Sequence, residues 1–169
     1  MLGDAGDAQL EYKVILETDM YVCVNRNSLL ARQAQLRPED LQDQTVAGYQ
    51  GSMIDWFNQY FQGNGALRYS IIATNLESIK REVSRGAAIS ILSELTIVHH
   101  GFLANGEIIA VPLVSGDRAI RLQVALVKLR RTSLSKTAKR LLRVLEELVA
   151  QRKAGVAATS YARSKGTAS

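Results

Sequence analysis

The sequence predicts an α/β domain with a largely parallel sheet. Two observations carry that reading: short apolar, β-branched runs recur at residues 45–49, 69–73, 88–92 and 108–111, and segments with helical apolar spacing lie between them. Strands alternating with helices favour parallel pairing, because each crossover returns the chain to the same end of the sheet. A chain of 169 residues, 47% hydrophobic and 22% charged, suits one or two small domains.

The elements follow in order. After a Gly/Asp-rich lead, residues 12–17 and 21–25 read as two strands separated by Thr18-Asp19. Pro38, followed by Glu39-Asp40-Leu41, suits the first turn of a short helix. Residues 45–49 form the next strand, and Met53, Trp56, Phe57, Tyr60 and Phe61 follow at i, i+3, i+4, i+7 and i+8, one face of a helix that Gly63-Asn64-Gly65 stops. Residues 69–73 are a strand, Asn75 can cap the next helix, and Leu76, Ile79 and Val83 form its buried stripe up to Gly86. Residues 88–92 are a buried strand, 94–103 a helix ending at Asn105-Gly106, and 108–111 a strand. Residues 119–129 alternate imperfectly, as expected of a strand partly covered on both faces. Ser135 can cap a long helix whose stripe is Ala138, Leu141, Leu142, Leu145, Leu148 and Val149. From Gln151 onward Ala, Gly, Ser and basic residues predict a frayed or disordered basic tail over 151–169.

Charge divides the chain. Residues 1–112 hold 8 Lys+Arg against 13 Asp+Glu, a net of −5, whereas residues 113–169 hold 13 against 3, a net of +10. The overall +5 describes neither part. No apolar run approaches the roughly 18 residues of a membrane span. Asp4, Asp7 and Glu11 stand where a secretory signal requires positive charge followed by an apolar stretch, so a cytoplasmic protein is expected. The single cysteine, Cys23, lies in the apolar run from Met20 to Val24 and reads as a buried thiol in a reducing compartment.

The residues give no support to catalysis. His99 and His100 are the only histidines, and neighbours on a helix point about 100° apart, so they cannot share one metal. Gly-x-Ser-x-Gly is absent, Gly63-Asn64-Gly65 lacks the Lys-Ser/Thr of a phosphate loop, and Glu39-Asp40 and Glu146-Glu147 suit solvated helix faces. No metal and no cofactor are expected.

Two strand-to-helix corners remain. Tyr49-Gln50-Gly51-Ser52 joins a strand to the aromatic-rich helix, where free N–H groups and a hydroxyl meet the positive end of a helix dipole. Thr74-Asn75 is the second corner, and in open α/β sheets such corners at the carboxyl ends of strands line the binding crevice. Plain helix capping is the competing explanation for both. The basic segment 128–143 offers an alternative, a nucleic-acid-binding module, although it contains no aromatic residue to stack on a base.

Over residues 10–147 the order of segments resembles the C-terminal effector-binding domain of LysR-type bacterial transcription regulators. The resemblance rests on the opening Tyr12-Lys-Val-Ile-Leu-Glu-Thr-Asp-Met-Tyr-Val-Cys-Val, on Leu36-Arg-Pro-Glu-Asp-Leu, and on Gly51-Ser52 before an amphipathic helix. Thr74-Asn-Leu-Glu-Ser-Ile, Arg85-Gly-Ala-Ala-Ile-Ser-Ile-Leu-Ser, Asn105-Gly-Glu-Ile-Ile-Ala-Val-Pro-Leu and Leu134-Ser-Lys-Thr-Ala-Lys-Arg-Leu-Leu continue it in the family's order. Ala88 and Ser93 depart from it, standing where the family has glycine and proline.

The resemblance implies a periplasmic-binding-protein-like fold: one complete Rossmann-like lobe plus a returning strand and helix of a second, incomplete lobe. The expected divisions are a lead at 1–11, an effector-binding lobe at 12–112, the returning strand and helix at 113–150, and the tail. It implies a truncated, non-enzymatic sensor that binds a small anionic effector through Gln50, Gly51, Ser52, Thr74 and Asn75. DNA would be reached only through the regulator's missing N-terminal domain, and a homo-oligomer is expected. A free-standing solute-binding or enzyme domain is the weakest option, since an export signal and a catalytic constellation are both lacking.

Overall fold

The computed structural model describes residues 9–49, 68–99, 101 and 103–165, with the side-chain surroundings of 68–71, 99 and 152–165 left aside. The chain forms two compact units, Thr18–Leu122 and a second built from Gly3–Glu17 with Gln123–Ser169. It passes between them along two strands, after Glu17 and after Leu122.

The Thr18–Leu122 unit is organised around the sheet that the strand–helix alternation predicts. Strand β1 (Leu10–Asn25) pairs antiparallel with both β4 (Ser90–Ser93) and β5 (Ile108–Pro112). Strand β2 (Thr45–Tyr49) pairs in parallel with β3 (Arg68–Ala73). A parallel bridge between Val46 and Ile89 joins the two sets, made by Ala47 N–H to the Ile89 carbonyl and Ile89 N–H to the Thr45 carbonyl, both 2.8 Å. The strands therefore run β3, β2, β4, β1, β5, with β1 alone reversed.

The period of two along each strand sorts the core onto two faces. Met20, Val22 and Val24 of β1 join Val46, Ile91 and Val111 on one face, closed by Leu36, Leu41, Leu113, Ile120 and Leu122. Cys23 joins Ala47, Leu92 and Ile108 on the other, where helix α1 (Leu76–Ser84) contributes Ile79 and Val83 and helix α2 (Glu94–His99) contributes Ile97. Thus the helices cover one face, and the face opposite is covered by irregular chain and two short 3-10 turns, Leu29–Arg32 and Pro38–Leu41. The second turn is the one that Pro38 marks in the sequence, and the Asp40 carboxylate accepts the Arg37 N–H at 2.8 Å.

Helix α1 ends where Gly86 is expected to stop it. Gly86 takes φ +73°, Gly86 N–H donates to the Val83 carbonyl and Ala87 N–H to the Glu82 carbonyl, the paired bonds of a Schellman cap. The Asn25 amide donates to the Ser84 carbonyl, tying the end of β1 to this cap.

Several boundaries differ from the sequence expectations. Thr18-Asp19 does not divide β1, which is one strand of 16 residues. Thr18 is β-branched and buried and Asp19 pairs outward with Arg121 at 2.8 Å, so both residues continue the extended strand. Helix α2 ends at His99 rather than at residue 103. A hairpin of β6 (Val114–Ser115) and β7 (Arg118–Ala119), turning at Gly116 with φ +60°, precedes β8 (Arg121–Leu129) and has no counterpart in the sequence reading.

The second unit consists of the first half of β1, most of β8 and helix α3 (Lys136–Lys165). Strand β8 pairs with β1. Arg130 N–H reaches the Gln9 carbonyl at 2.6 Å and the Gln123 amide reaches Glu17 at 3.1 Å, so the two strands run in opposite directions. Ser135 caps α3 as expected, its hydroxyl accepting Ala138 N–H at 3.1 Å. Where composition predicts a tail from Gln151, α3 continues to Lys165. Its apolar stripe is open: Leu141 is 61% exposed and Leu148 55%.

Candidate binding site at the carboxyl ends of the strands

Parallel pairing brings the carboxyl ends of β2, β3, β4 and β5 to one edge of the sheet. Tyr49, Ala73, Ser93 and Pro112 mark that edge, and antiparallel β1 places Thr18 and Asp19 just beyond it, since Met20 registers with Ser93 and Tyr21 with Pro112. Strand ends at such an edge stop hydrogen-bonding to one another, so their polar groups turn to helix caps or to ligands.

Thr74 and Asn75 occupy the β3–α1 corner, both exposed. The Asn75 carbonyl oxygen accepts Ser78 N–H at 2.8 Å, so this residue caps α1 as the sequence suggests. The cap satisfies one of the first-turn donors, and the Leu76 and Glu77 N–H groups find no acceptor among the described residues. Glu77 lies on the same first turn and offsets part of the dipole's attraction for an anion. Recognition here would therefore rest on directed hydrogen bonds more than on charge. Gln50, Gly51 and Ser52 lie outside the described residues, immediately after Tyr49 at the end of β2.

A third corner, β4–α2, escapes the sequence search for binding residues. The Thr18 hydroxyl, on a residue only 4% exposed, accepts Leu95 N–H at 3.3 Å. The Ser93 hydroxyl accepts Thr96 N–H at 3.3 Å and shares a 3.0 Å hydrogen bond with the Thr96 hydroxyl. These hydroxyls hold the start of α2 against β1. Ser93 is visible in the sequence as a departure from the family's proline, but Thr18 lies 77 positions before the Leu95 N–H that it accepts, and only the β1–β4 register brings the two together.

Cys23 is fully buried beside β4, with its thiol pushed up to about 12 by desolvation. An unfolded thiol titrates near about 8.5. The folded state thus keeps its proton where the unfolded state loses it, so this group's contribution to stability is complete below about 8.5 and is lost as pH rises toward about 12. Ellman's reagent at pH 8 is expected to leave the native chain unmodified and to label one thiol after denaturation. Rapid labelling of the native chain would contradict the burial.

Among the described residues no group of three or more His, Cys, Asp or Glu side chains could hold a metal ion. His100 and the His99 side chain lie outside them. No helix among the described residues is long and apolar enough to cross a membrane.

The amino-acid sequence matches the LysR substrate binding domain family over residues 1–150. The chain belongs to that family. Membership makes it an effector-sensing regulatory domain of the LysR class, in a family of regulatory rather than catalytic domains, with the family's periplasmic-binding-protein-like fold.

Solved structures similar to this LysR domain include the regulatory domain of CcmR from Synechocystis PCC6803 in complex with 2-PG. That match has 21% identity and a TM-score of 0.71, covering 87% of this chain and 70% of the other. The regulatory domain of MetR from N. meningitidis gives 14% identity and a TM-score of 0.69, with coverages of 90% and 68%. The effector binding domain of QuiR in complex with shikimate gives 14% identity and a TM-score of 0.65, with coverages of 89% and 68%. Among curated proteins no match is found.

Proposed function

We propose that this LysR domain senses a small anionic effector at the carboxyl ends of its strands, with Gln50, Gly51, Ser52, Thr74 and Asn75 as the hydrogen-bonding residues. The observation that carries the reading is the β3–α1 corner, where exposed Thr74 precedes two first-turn N–H donors that find no acceptor among the described residues. Two of the similar domains were solved with small ligands, 2-PG and shikimate, which supports a small molecule as the class. In this reading the domain performs no chemistry, acts in the cytoplasm, and affects DNA only through a separate DNA-binding domain of its regulator. Thr18 and Ser93 are positioning residues that fix the β4–α2 corner. A homo-oligomer would give the exposed Leu141, Leu145 and Leu148 of α3 an apolar partner surface.

The alternative, a nucleic-acid surface over 128–143, has less support. Lys128 is ion-paired with Glu11 at 2.8 Å, and the Arg130 guanidinium donates to the Leu10 carbonyl at 3.3 Å.

Isothermal titration with 2-PG, shikimate and a panel of small carboxylates tests the proposal. Saturable binding to the chain is expected, with Thr74→Ala and Ser52→Ala each weakening it about tenfold, the scale of one hydrogen bond to a charged group. Unchanged affinity in both variants would remove these corners from the site.

A further inference from the structure

We infer that the unit built from the first half of β1, β8 and α3 carries its own binding site for an organic phosphate, formed at the turn between β8 and α3. A cavity of about 320 Å³ opens there, lined by Lys128, Arg130, Arg131, Lys139, Thr132 and Ser133 among others. A second cavity of about 450 Å³ shares Arg130, Arg131 and Thr132 with it and adds Leu129 and Gln9. Small-molecule sites usually occupy roughly 300–1,000 Å³. Each cavity therefore reaches that range, and because Arg130, Arg131 and Thr132 border both, the proposed site takes them as adjoining chambers.

The chemistry of the lining selects the ligand. From Lys128 to Leu145 the sequence contains seven Lys or Arg and no Asp or Glu, and among the described residues the acidic side chain that pairs with the turn is Glu11, reached from β1. Glu11 neutralises Lys128, and that ion pair holds the Glu11 carboxyl below its usual range, through the hydrogen bond first and the charge second. Arg130 spends one N–H on the Leu10 carbonyl, whereas Arg131 and Lys139 make no ion pair among the described residues. Among the described residues Arg131 and Lys139 thus remain without an ion-pair partner around one small cavity, beside Arg130 and with the Thr132 and Ser133 residues on its wall. A phosphomonoester supplies about −1.5 to −2 charges at pH 7 and three acceptor oxygens for guanidinium forks, which a single carboxylate does not. The larger chamber carries Leu129, 52% exposed, as an apolar wall for the organic body. A phosphodiester polymer is disfavoured because part of the basic run is already paired and no aromatic residue lies on it.

The test is calorimetric titration of the full chain with phenyl phosphate, inorganic phosphate, benzoate and mixed-sequence duplex DNA. Phenyl phosphate is expected to bind at least tenfold more tightly than either inorganic phosphate or benzoate, and its affinity should rise between pH 5 and 7 as the phosphate takes its second charge. Arg131→Ala and Lys139→Ala, both exposed positions, should each lower the affinity about tenfold, while Arg143→Ala, outside the lining, leaves it within twofold. Equal affinity for phenyl and inorganic phosphate would overturn the two-chamber site, as would equal losses in all three variants. DNA binding that depends on Arg131 and Lys139 and outcompetes phenyl phosphate would overturn it in favour of a nucleic-acid surface.

Discussion

Ile79→Ala is expected to destabilise the Thr18–Leu122 unit by about 2–5 kcal/mol, the range for emptying a buried isoleucine. Ile79 is fully buried on α1 and packs in the cluster that holds Cys23, Ala47, Val83 and Leu92. With Val83 it fixes α1 to the sheet, one turn beyond the Asn75 cap. Losing it should therefore loosen the β3–α1 corner together with the core, and effector affinity should fall with stability. Urea denaturation followed by tryptophan-independent circular dichroism measures the loss. Val98→Ala, on α2 but 60% exposed, serves as the comparison and should change stability by no more than about 0.5 kcal/mol. A loss below about 1 kcal/mol for Ile79→Ala would mean that α1 does not seal this face.

The second large effect is expected for Thr18→Val. The substitution keeps the shape and removes the hydroxyl that accepts Leu95 N–H at 3.3 Å in a nearly closed environment. A partly buried N–H left without an acceptor costs about 1–2 kcal/mol. The cost should appear as faster hydrogen exchange at Leu95 and Thr96, because the start of α2 loses its tie to β1. Thr18→Ser, which restores the hydroxyl, should recover the exchange protection while giving up one methyl group of packing. If Leu95 and Thr96 exchange as slowly in Thr18→Val as in Thr18→Ser, the hydroxyl is not what ties the start of α2 to β1.

Thr18 also shows where the sequence stops being informative. Read along the chain, Thr18-Asp19 looks like a polar break between two strands, because the residues that make it continuous lie far away. Asp19 is held by Arg121, and the Thr18 hydroxyl by Leu95, partners more than seventy positions distant that only the folded register supplies. Local signals are legible where the physics is local. The Asn75 cap, the Gly86 stop, the Ser135 cap and the Ile79/Val83 stripe each depend on residues within one or two turns, and each is found in the structure.

The same distinction applies to function. The β3–α1 corner was legible because its cap lies in the adjoining residues, whereas the β4–α2 corner needs hydroxyls from two strands. The basic third looked like one cationic surface in sequence. In the fold it separates into Lys128, paired with Glu11, and Arg131 and Lys139, which line a cavity. Lys13 likewise draws Glu146 of α3 into an ion pair across 133 positions, which no spacing rule within a helix would reveal.

Amide chemical-shift mapping of the 169-residue chain against 2-PG, shikimate and the carboxylate panel tests the central claim most directly. An effector site at the strand ends should shift Thr74, Asn75, Leu76 and Glu77 together, with smaller changes at Ser93 and Leu95, and should leave the Gly86 cap, which Asn25 ties to the opposite end of β1, unmoved. Saturating ligand that shifts none of the Thr74–Glu77 amides, while moving residues elsewhere in the chain, would contradict the assignment of these corners to effector binding.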